Sequence, residues 1–346
     1  MASVSFFSGG GGLDLGLSLA GFNIKYASDE EKAYCKTIEA NFPNCFVDIQ
    51  DIRKTTAESI HEIIGKAPIE LLAGGSPCQA FSILGKRESF NDSRGQLVFE
   101  FIRLVEELRP RAFVFENVPG ILTLNKGRDW ALLLSYFEAT GYSLHEKVLN
   151  AADFGVPQIR KRLFVVGFRE AVKFEFPTPT HRNPARSPSL LEYGLPEWIP
   201  AKFALEGVEG LSNHDIRPHG DRVQNRYKLV PPGSRDPVDH TTRIHPDKPS
   251  GTVLVGSKAG GGRPHIHPNL PRHISPREAA RLQSFPDWYI FQGTQTAQYR
   301  QIGNAVPPLL ACAIGLEIRR ALNSNSTSFS PFTALSNSKK TDLVHA

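Results

Sequence analysis

The chain has 346 residues, 40% hydrophobic and 22% charged, which is ordinary for a globular protein of one large domain or two modest ones. No apolar run approaches the roughly 18 residues of a membrane span, and the N-terminus lacks a basic signal start, so we expect a cytoplasmic protein. The four cysteines show no C-x-x-C spacing, which argues against a zinc site or a disulfide framework. The net charge of +5 weakly favours an anionic partner.

The first half of the sequence predicts short buried strands that alternate with helices. Apolar runs predict strands at 4–7, 24–27, 70–73, 112–115 and 163–168. Helical spacing of apolar residues predicts helices over 13–20 and 97–108. This alternation is typical of an α/β fold whose sheet is mostly parallel, doubly wound and covered on both faces.

The texture changes after residue 177. Prolines, histidines, arginines and glycines crowd the segment 178–272, which predicts a second, smaller, loop-rich domain. That segment holds 13 Lys+Arg and 9 Asp+Glu, so most of the excess positive charge lies there, either for a partner or as a solvated basic face. A capping box that begins at Ser275 starts a return to the first domain over 273–322, with a last helix at 308–322. The tail, 323–346, is predicted to be disordered.

A glycine loop follows the first predicted strand. Gly9 to Gly12 precede Asp14 and Leu15. Either Asp14 or Leu15 occupies the third glycine position of the dinucleotide fingerprint, so that fingerprint fails. No Gly-Lys-Ser/Thr follows, and the first 24 residues contain no Lys or Arg, so the loop is poorly suited to a triphosphate. A cationic, phosphate-free ligand such as a sulfonium nucleoside fits better. Asp29 follows the second strand, where a carboxylate either binds a ribose diol or is a solvated loop charge.

Three further segments carry candidate chemistry. Cys78 lies in Gly-Gly-Ser-Pro-Cys-Gln after a predicted strand, on a loop where a nucleophile is favoured over a buried structural thiol. Glu116 directly follows four apolar residues, where its pKa is expected to rise, although an ordinary strand-end carboxylate has the same pattern. Alternation of side chains along the next strand places Arg160 and Arg162 side by side on one face. The alternative is that they belong to an exposed basic edge strand.

Taken together, these segments resemble the cytosine-5 DNA methyltransferases of bacterial restriction-modification systems. The most specific matches are Gly-Ser-Pro-Cys-Gln, Glu-Asn-Val, Gln-x-Arg-x-Arg and Gln-Ile-Gly-Asn-Ala-Val-Pro-Pro. The matching blocks in order are 6–17, 28–30, 48–49, 74–82, 116–118, 158–162, 275–287 and 301–308. The resemblance therefore covers essentially the whole chain from 4 to 322, and it implies the Rossmann-like fold of class I methyltransferases.

The resemblance also implies a site for S-adenosylmethionine. The residues that match the family's cofactor contacts are Phe7, Gly9, Gly11, Gly12, Asp29, Asp48, Ile49, Pro77, Leu97, Asn304 and Val306. Two positions depart from the family pattern: Asp29 replaces the usual glutamate, and Glu30 replaces a hydrophobic residue that often packs on the adenine. Asp51 and Ile52 form a second Asp-Ile pair, and we prefer the first pair because its spacing fits.

The chemistry that the resemblance implies requires a cytosine flipped out of duplex DNA. Cys78 would add to C6 of the base, Glu116 would contact N3, and Arg160 with Arg162 would hold the base and stabilise developing charge. Asn117 would orient Glu116 and its loop.

The segment 178–272 corresponds to the family's target-recognition region, where arginines such as Arg222, Arg226 and Arg243 are candidates to read guanines. The Gly260 to Gly262 stretch is a turn or a loop that approaches DNA. Implied partners are double-stranded DNA and a cognate restriction endonuclease that acts on the same site, with the enzyme acting as a monomer. Two alternatives stay open: a tRNA cytosine-5 methyltransferase on the same scaffold, and an inactive DNA-binding regulator.

Overall fold

A twisted sheet organises the first half of the protein. The computed structural model describes residues 1–76, 97–253 and 264–324, and in them seven strands pair in the order β3-β2-β1-β4-β5-β7-β6. The strands are β1 (Ala2–Phe6), β2 (Asn23–Asp29), β3 (Phe46–Ile49), β4 (Leu71–Gly74), β5 (Ala112–Asn117), β6 (Ser143–Asn150) and β7 (Lys161–Phe168). Pairing is parallel from β3 to β5, and β7 runs antiparallel between β5 and β6. The predicted, mostly parallel sheet is confirmed.

Helices cover both faces of this sheet. The α-helices are α1 (Gly12–Leu19), α2 (Lys32–Asn41), α3 (Ala57–Ile64), α4 (Leu97–Leu108), α5 (Arg128–Ala139), α6 (Lys202–Leu205), α7 (Asp221–Leu229), α8 (Pro276–Leu282), α9 (Gln295–Asn304) and α10 (Pro308–Ser324). Alternate strand residues supply two apolar clusters: one with α3, α4 and α5, the other with α1, α2 and α10. The doubly wound arrangement follows from this two-sided burial.

The predicted strands and helices of the first half are confirmed to within about two residues. Two strands were missed, and both have weak apolar patterns. β3 has four residues, none of them fully buried, and β6 is a polar edge strand with exposed positions along most of its length. The alternative of an exposed edge strand at Arg160 and Arg162 is wrong, because β7 lies inside the sheet and both side chains are buried.

The C-terminal part of the chain packs on the sheet and on α1. Ser275 accepts from the amide of Glu278, and Pro276 begins α8, which confirms the capping box. α10 packs against α1, and it continues to Ser324, two residues into the tail that was predicted to be disordered. The helical stretch Gln295–Ser324 is apolar and long enough to cross a membrane, but 67% of its 18-residue apolar window is buried in the fold, as in a core helix.

The segment 178–272 contains few regular elements in its described part. It holds α6, α7, a short 3₁₀ turn and isolated β-bridges, in keeping with its predicted loop-rich character. Apolar residues from 201–253 share one cluster with residues of 274–305 and with Leu15 of α1. The boundaries at 177/178 and 272/273 stay predictions.

Candidate active site

Glu116 and Arg162 form an ion pair at the carboxyl end of β5. The antiparallel register pairs Glu116 with Phe164, so Arg162, two residues away on β7, lies on the same face as its diagonal neighbour. Arg162 Nε donates to Glu116 Oε1 over 2.8 Å, and the two side chains are only 11% and 13% exposed. The structure thus brings two predicted site residues together.

Arg160 lies beside this pair in a fully enclosed position. Its Nη2 donates to the carbonyls of Gly303 (2.7 Å), in the last turn of α9, and of Ala305 (2.9 Å), which follows that helix. Its Nε has no hydrogen-bond partner among the described residues. Arg160 therefore holds the C-terminal segment against the catalytic edge of the sheet and also places positive charge near Glu116.

The electrostatics of Glu116 reflect opposing effects. Burial raises the pKa of its carboxyl group above the ordinary value, while the positive charges of Arg162 and Arg160 partly offset that rise. A carboxyl group with a raised pKa and two nearby cations is able to hold a proton or to release it according to what binds next to it.

The loop that leads to Cys78 is attached to this site. Asn117 Nδ2 donates to the carbonyl of Ser76 over 3.1 Å, and its Oδ1 accepts from the amide of Val118. The expected role of Asn117 in orienting its loop agrees with these bonds. Pro77 and Cys78 themselves lie outside the described residues. The 260–262 glycine stretch also lies outside them.

Gly75 is in contact with Glu116, and this contact gives a direct prediction. A Cβ atom at Gly75 would lie 2.7 Å from Glu116 Oε2 and 2.9 Å from its carbonyl oxygen. We expect Gly75→Ala to lower kcat roughly 10- to 100-fold by displacing the carboxylate, while the fold persists. Steady-state kinetics and thermal unfolding check this. The matched control is Gly120→Ala, where no atom lies within 4 Å of the added Cβ; equal activity of the two variants would contradict the prediction.

The glycine loop after β1 is packed against the C-terminal part of the chain. A Cβ on Gly10 would lie 2.9 Å from the carbonyl oxygen of Gln301, and one on Gly12 would collide with the carbonyl of Val306. Gly11 has φ +73° and lies against the Tyr289 hydroxyl, which donates to the carbonyl of Gly10 over 2.9 Å. The glycines are therefore required in part by packing within the fold, a reason that the sequence did not indicate.

Asp29 joins the glycine loop to β2. Its Oδ2 accepts from the amide of Gly9 (2.9 Å) and its Oδ1 from the amide of Glu31 (3.0 Å). Burial raises the pKa of Asp29 to about 6, and these two amides oppose the rise. Each carboxylate oxygen keeps a free lone pair that is able to accept from a diol.

The Asp48-Ile49 pair ends β3 beside Asp29. The register pairs Asp29 with Ile49, and Ile49 is 47% exposed, an unusual position for a large aliphatic side chain at a sheet edge. Asp48 accepts from the Tyr26 hydroxyl over 2.7 Å. Asp51, of the alternative pair, is bound to Arg53, and the preference for Asp48 and Ile49 stays a prediction.

The remaining predicted cofactor contacts differ in backbone conformation and in burial. Phe7 follows β1 with φ +54°, a conformation that is rare for a non-glycine residue. Leu97 begins α4 and is partly buried against the sheet. Val306 is buried, whereas the side chain of Asn304 at the end of α9 is exposed.

Comparisons with known proteins identify the family of this chain. Residues 1–320 match the family model described as C-5 cytosine-specific DNA methylase. The chain belongs to this family. Type II methyltransferase M.XorII of Xanthomonas oryzae is 35% identical over 96% of this chain and 88% of its own length. M.MthTI of Methanothermobacter thermautotrophicus is 36% identical over 93% and 98%.

Solved structures share the fold of this cytosine-5 methyltransferase. A putative DNA modification methyltransferase encoded in an Escherichia coli prophage has a TM-score of 0.72 and 29% identity, and it covers 93% of this chain and 99% of its own. The Dnmt2 methyltransferase of S. pombe, 18% identical with a TM-score of 0.66 over 92% and 99%, is similar in fold. The enzyme is thus a DNA cytosine-5 methyltransferase related to those of restriction-modification systems.

Two of the three arginines proposed to read guanines form hydrogen bonds or ion pairs with other groups of this methyltransferase. Arg243 is buried and donates to the carbonyls of Tyr227, Lys228, Val230 and Pro268, so it closes the end of α7. This corrects the prediction for Arg243. Arg226 pairs with Asp236 (2.7 Å) and Asp239 (2.6 Å). Arg222 lies on the exposed face of α7 and stays a candidate.

Asp14, for which the sequence pattern indicated no role beyond breaking a fingerprint, is a buried carboxylate behind the glycine loop. It is fully buried, and neither of its oxygens has a hydrogen-bond partner among the described residues. Burial raises its pKa to about 6, and the nearby hydroxyls of Ser5 and Ser8 partly oppose the rise. The ionised form of Asp14 therefore destabilises the fold near neutral pH.

Replacing Asp14 is expected to stabilise the protein in a pH-dependent way. Because the folded pKa of about 6 lies above the unfolded value near 3.9, the penalty is absent below pH 4 and complete above pH 6. We expect Asp14→Asn to raise the free energy of unfolding by up to about 3 kcal/mol at pH 8 relative to its effect at pH 4. Urea unfolding at both pH values measures this, and a pH-independent difference between variant and wild type would contradict it.

Proposed function

We propose that this methyltransferase transfers the methyl group of S-adenosylmethionine to C5 of a cytosine that is flipped out of a specific short duplex DNA sequence. The observation that carries the proposal is the Glu116–Arg162 pair, flanked by Arg160 and connected through Asn117 and Ser76 to the loop that bears Cys78. Glu116 and the two arginines supply a proton donor and a positive environment at one edge of the sheet, and Cys78 follows Ser76 by two residues in the sequence.

In this proposal the thiolate of Cys78 adds to C6 of the flipped cytosine. A proton held by Glu116 at N3 favours that addition, because it neutralises the charge that the ring gains. Arg160 and Arg162 stabilise the remaining negative charge, and C5 becomes the nucleophile. After methylation, loss of the C5 proton and breakage of the Cys78–C6 bond restore the aromatic ring and the thiolate.

The residues at the cofactor edge fit S-adenosylmethionine. Free lone pairs of Asp29 suit the ribose hydroxyls, and the exposed side chain of Ile49 offers an apolar surface to the adenine. The excess of acidic residues at this edge (Asp29, Glu30, Glu31 and Asp48) suits the positive charge of a sulfonium. When bound, S-adenosylmethionine supplies an electrophilic methyl group. The proposed pocket is completed by Gly9, Gly11, Gly12, Phe7, Leu97, Asn304, Val306 and Pro77.

The segment 178–272 is the proposed target-recognition region. Its positive charge suits the phosphates of double-stranded DNA, and Arg222 is a candidate for base reading. We further propose that the enzyme acts as a monomer in the cytoplasm beside an endonuclease that cuts the same sequence when it is unmethylated. The proposed segments are a catalytic part over 1–177 and 273–322 and a recognition part over 178–272.

The experiment for this proposal separates the substrate classes. Purified protein is incubated with S-adenosylmethionine labelled in the methyl group and with duplex DNA, single-stranded DNA or tRNA. The proposal predicts label in duplex DNA as 5-methylcytosine. Label confined to tRNA would support the RNA alternative, and cofactor binding without transfer would support the inactive regulator.

A further inference from the structure

Gln158 is a buried amide with partners at both of its ends. Its side chain is 0% exposed. Oε1 accepts from the amide of Val253 over 3.1 Å, and Nε2 donates to the carbonyl of Leu282, the last residue of α8, over 3.2 Å. A hydrocarbon side chain would fill this space without the free-energy penalty of removing an amide from water, so the amide indicates a need for these two connections.

The backbone around Gln158 reinforces the first connection. Ser250 donates its amide to the carbonyl of Pro157 (2.9 Å), and Ile159 donates its amide to the carbonyl of Ser250 (2.9 Å). Thr252 Oγ1 then donates to the carbonyl of Ile159 over 3.0 Å. Residues 250–253 thus lie alongside 157–159, and we call this pair of segments the 158/252 joint.

One segment of the 158/252 joint, residues 157–159, lies directly before the proposed catalytic arginines in the chain. Arg160 follows Ile159, and its guanidinium is held by the carbonyls of Gly303 and Ala305. Arg162 follows two residues later and pairs with Glu116. Gln158, Ser250, Val253 and Arg160 are buried, so we expect a shift of residues 250–253 to be transmitted to the arginines.

We infer that Gln158 is a positioning residue, which couples the seating of DNA on the recognition region to the alignment of Arg160 and Arg162 with Glu116. The inference rests on the proposed function. Residues 250–253 belong to 178–272 and precede its glycine-rich stretch at 260–262. A movement of the recognition region would therefore displace them. The amide of Gln158 connects that segment both to α8 and to the strand that carries the arginines.

The test is Gln158→Leu, which keeps the volume approximately and removes both side-chain hydrogen bonds. We expect kcat on cognate DNA to fall roughly 10- to 100-fold, as for a small misplacement of catalytic groups, while the Kd for S-adenosylmethionine changes less than about twofold. The matched control is Gln298→Leu in α9. Gln298 is also buried and donates to one carbonyl, that of Gly293, but it does not contact the 158/252 joint. We expect its kcat to stay within about twofold of wild type.

A double-mutant cycle separates positioning from general destabilisation. Thr252→Val removes the other side-chain bond of the joint, and the effects of Gln158→Leu and Thr252→Val on kcat are expected to be non-additive. The inference would be overturned by additive effects on kcat, or by a Gln158→Leu variant that unfolds at lower temperature yet keeps its kcat. Wild-type protein that methylates no DNA would refute the proposed function, whereas an active wild type with an equally active Gln158→Leu variant would refute this inference alone.

Discussion

Glu116→Gln is expected to lower kcat by roughly 100- to 10,000-fold, the range measured for loss of a positioned acid or base. The amide has the size of the carboxyl group, but it has no proton that it can exchange with N3 of the cytosine. The variant also removes the ionic contact that Glu116 makes with Arg162, whose side chain is only 11% exposed. Loss of one partner from a buried pair typically costs about 3–5 kcal/mol of stability, so activity and stability have to be measured together.

A second variant distinguishes the two effects. Glu116→Gln combined with Arg162→Met removes both charges and is expected to recover much of the lost stability, since apolar replacements of a buried pair are often neutral. Activity should stay at the level of the single variant or below. A Glu116→Gln enzyme with kcat near the wild-type value would refute the role of Glu116 at N3, and recovery of kcat in the double variant would assign the loss to misfolding.

Cys78→Ser is expected to reduce turnover below detection while S-adenosylmethionine still binds. A hydroxyl group forms an anion far less readily than a thiol, so addition to C6 fails. The other three thiols are poor substitutes: burial raises the pKa of Cys35 and of Cys45 to about 12 and also raises that of Cys312. Methyl transfer and cofactor titration measure the two properties, and Cys45→Ser, expected to be fully active, is the control.

Trapping of the adduct tests the covalent step itself. A duplex with 5-fluorocytosine at the target position has no C5 proton to lose, so the bond between Cys78 and C6 should persist after methylation. Wild-type protein and Cys45→Ser are expected to give a complex that survives denaturant, and Cys78→Ser is not. Appreciable methylation by Cys78→Ser, or a trapped complex with it, would exclude Cys78 as the nucleophile.

The fold could be predicted where burial is strong and local. β5 and α4 have uninterrupted apolar patterns, and their predicted positions agree with the structure to within about two residues. β3 and β6 were missed because their side chains are half-buried or polar and their strand conformation comes from pairing with neighbours. The first residues of the tail, Asn323 and Ser324, continue α10, since the packing of that helix outweighs the polar local composition.

The candidate site could be predicted as a set of residue types but not as a set of contacts. Strand alternation placed Arg160 and Arg162 together, and the structure adds that they serve different partners. The contacts of Gly75 and Gln158 could not be predicted from the sequence, because their partners are about 40 to 120 positions away. Arg243 had the residue type of a base-reading arginine, and only its four backbone partners show that it supports α7.

We propose that this protein methylates cytosine in one short DNA sequence through Cys78. The decisive measurement is bisulfite sequencing of DNA from a methylation-free host that expresses the protein, with Cys78→Ser as control. We expect protected cytosines at a single recurring motif, all absent with the variant. Unprotected DNA from cells that contain folded, cofactor-binding protein, or equal protection with Cys78→Ser, would contradict it.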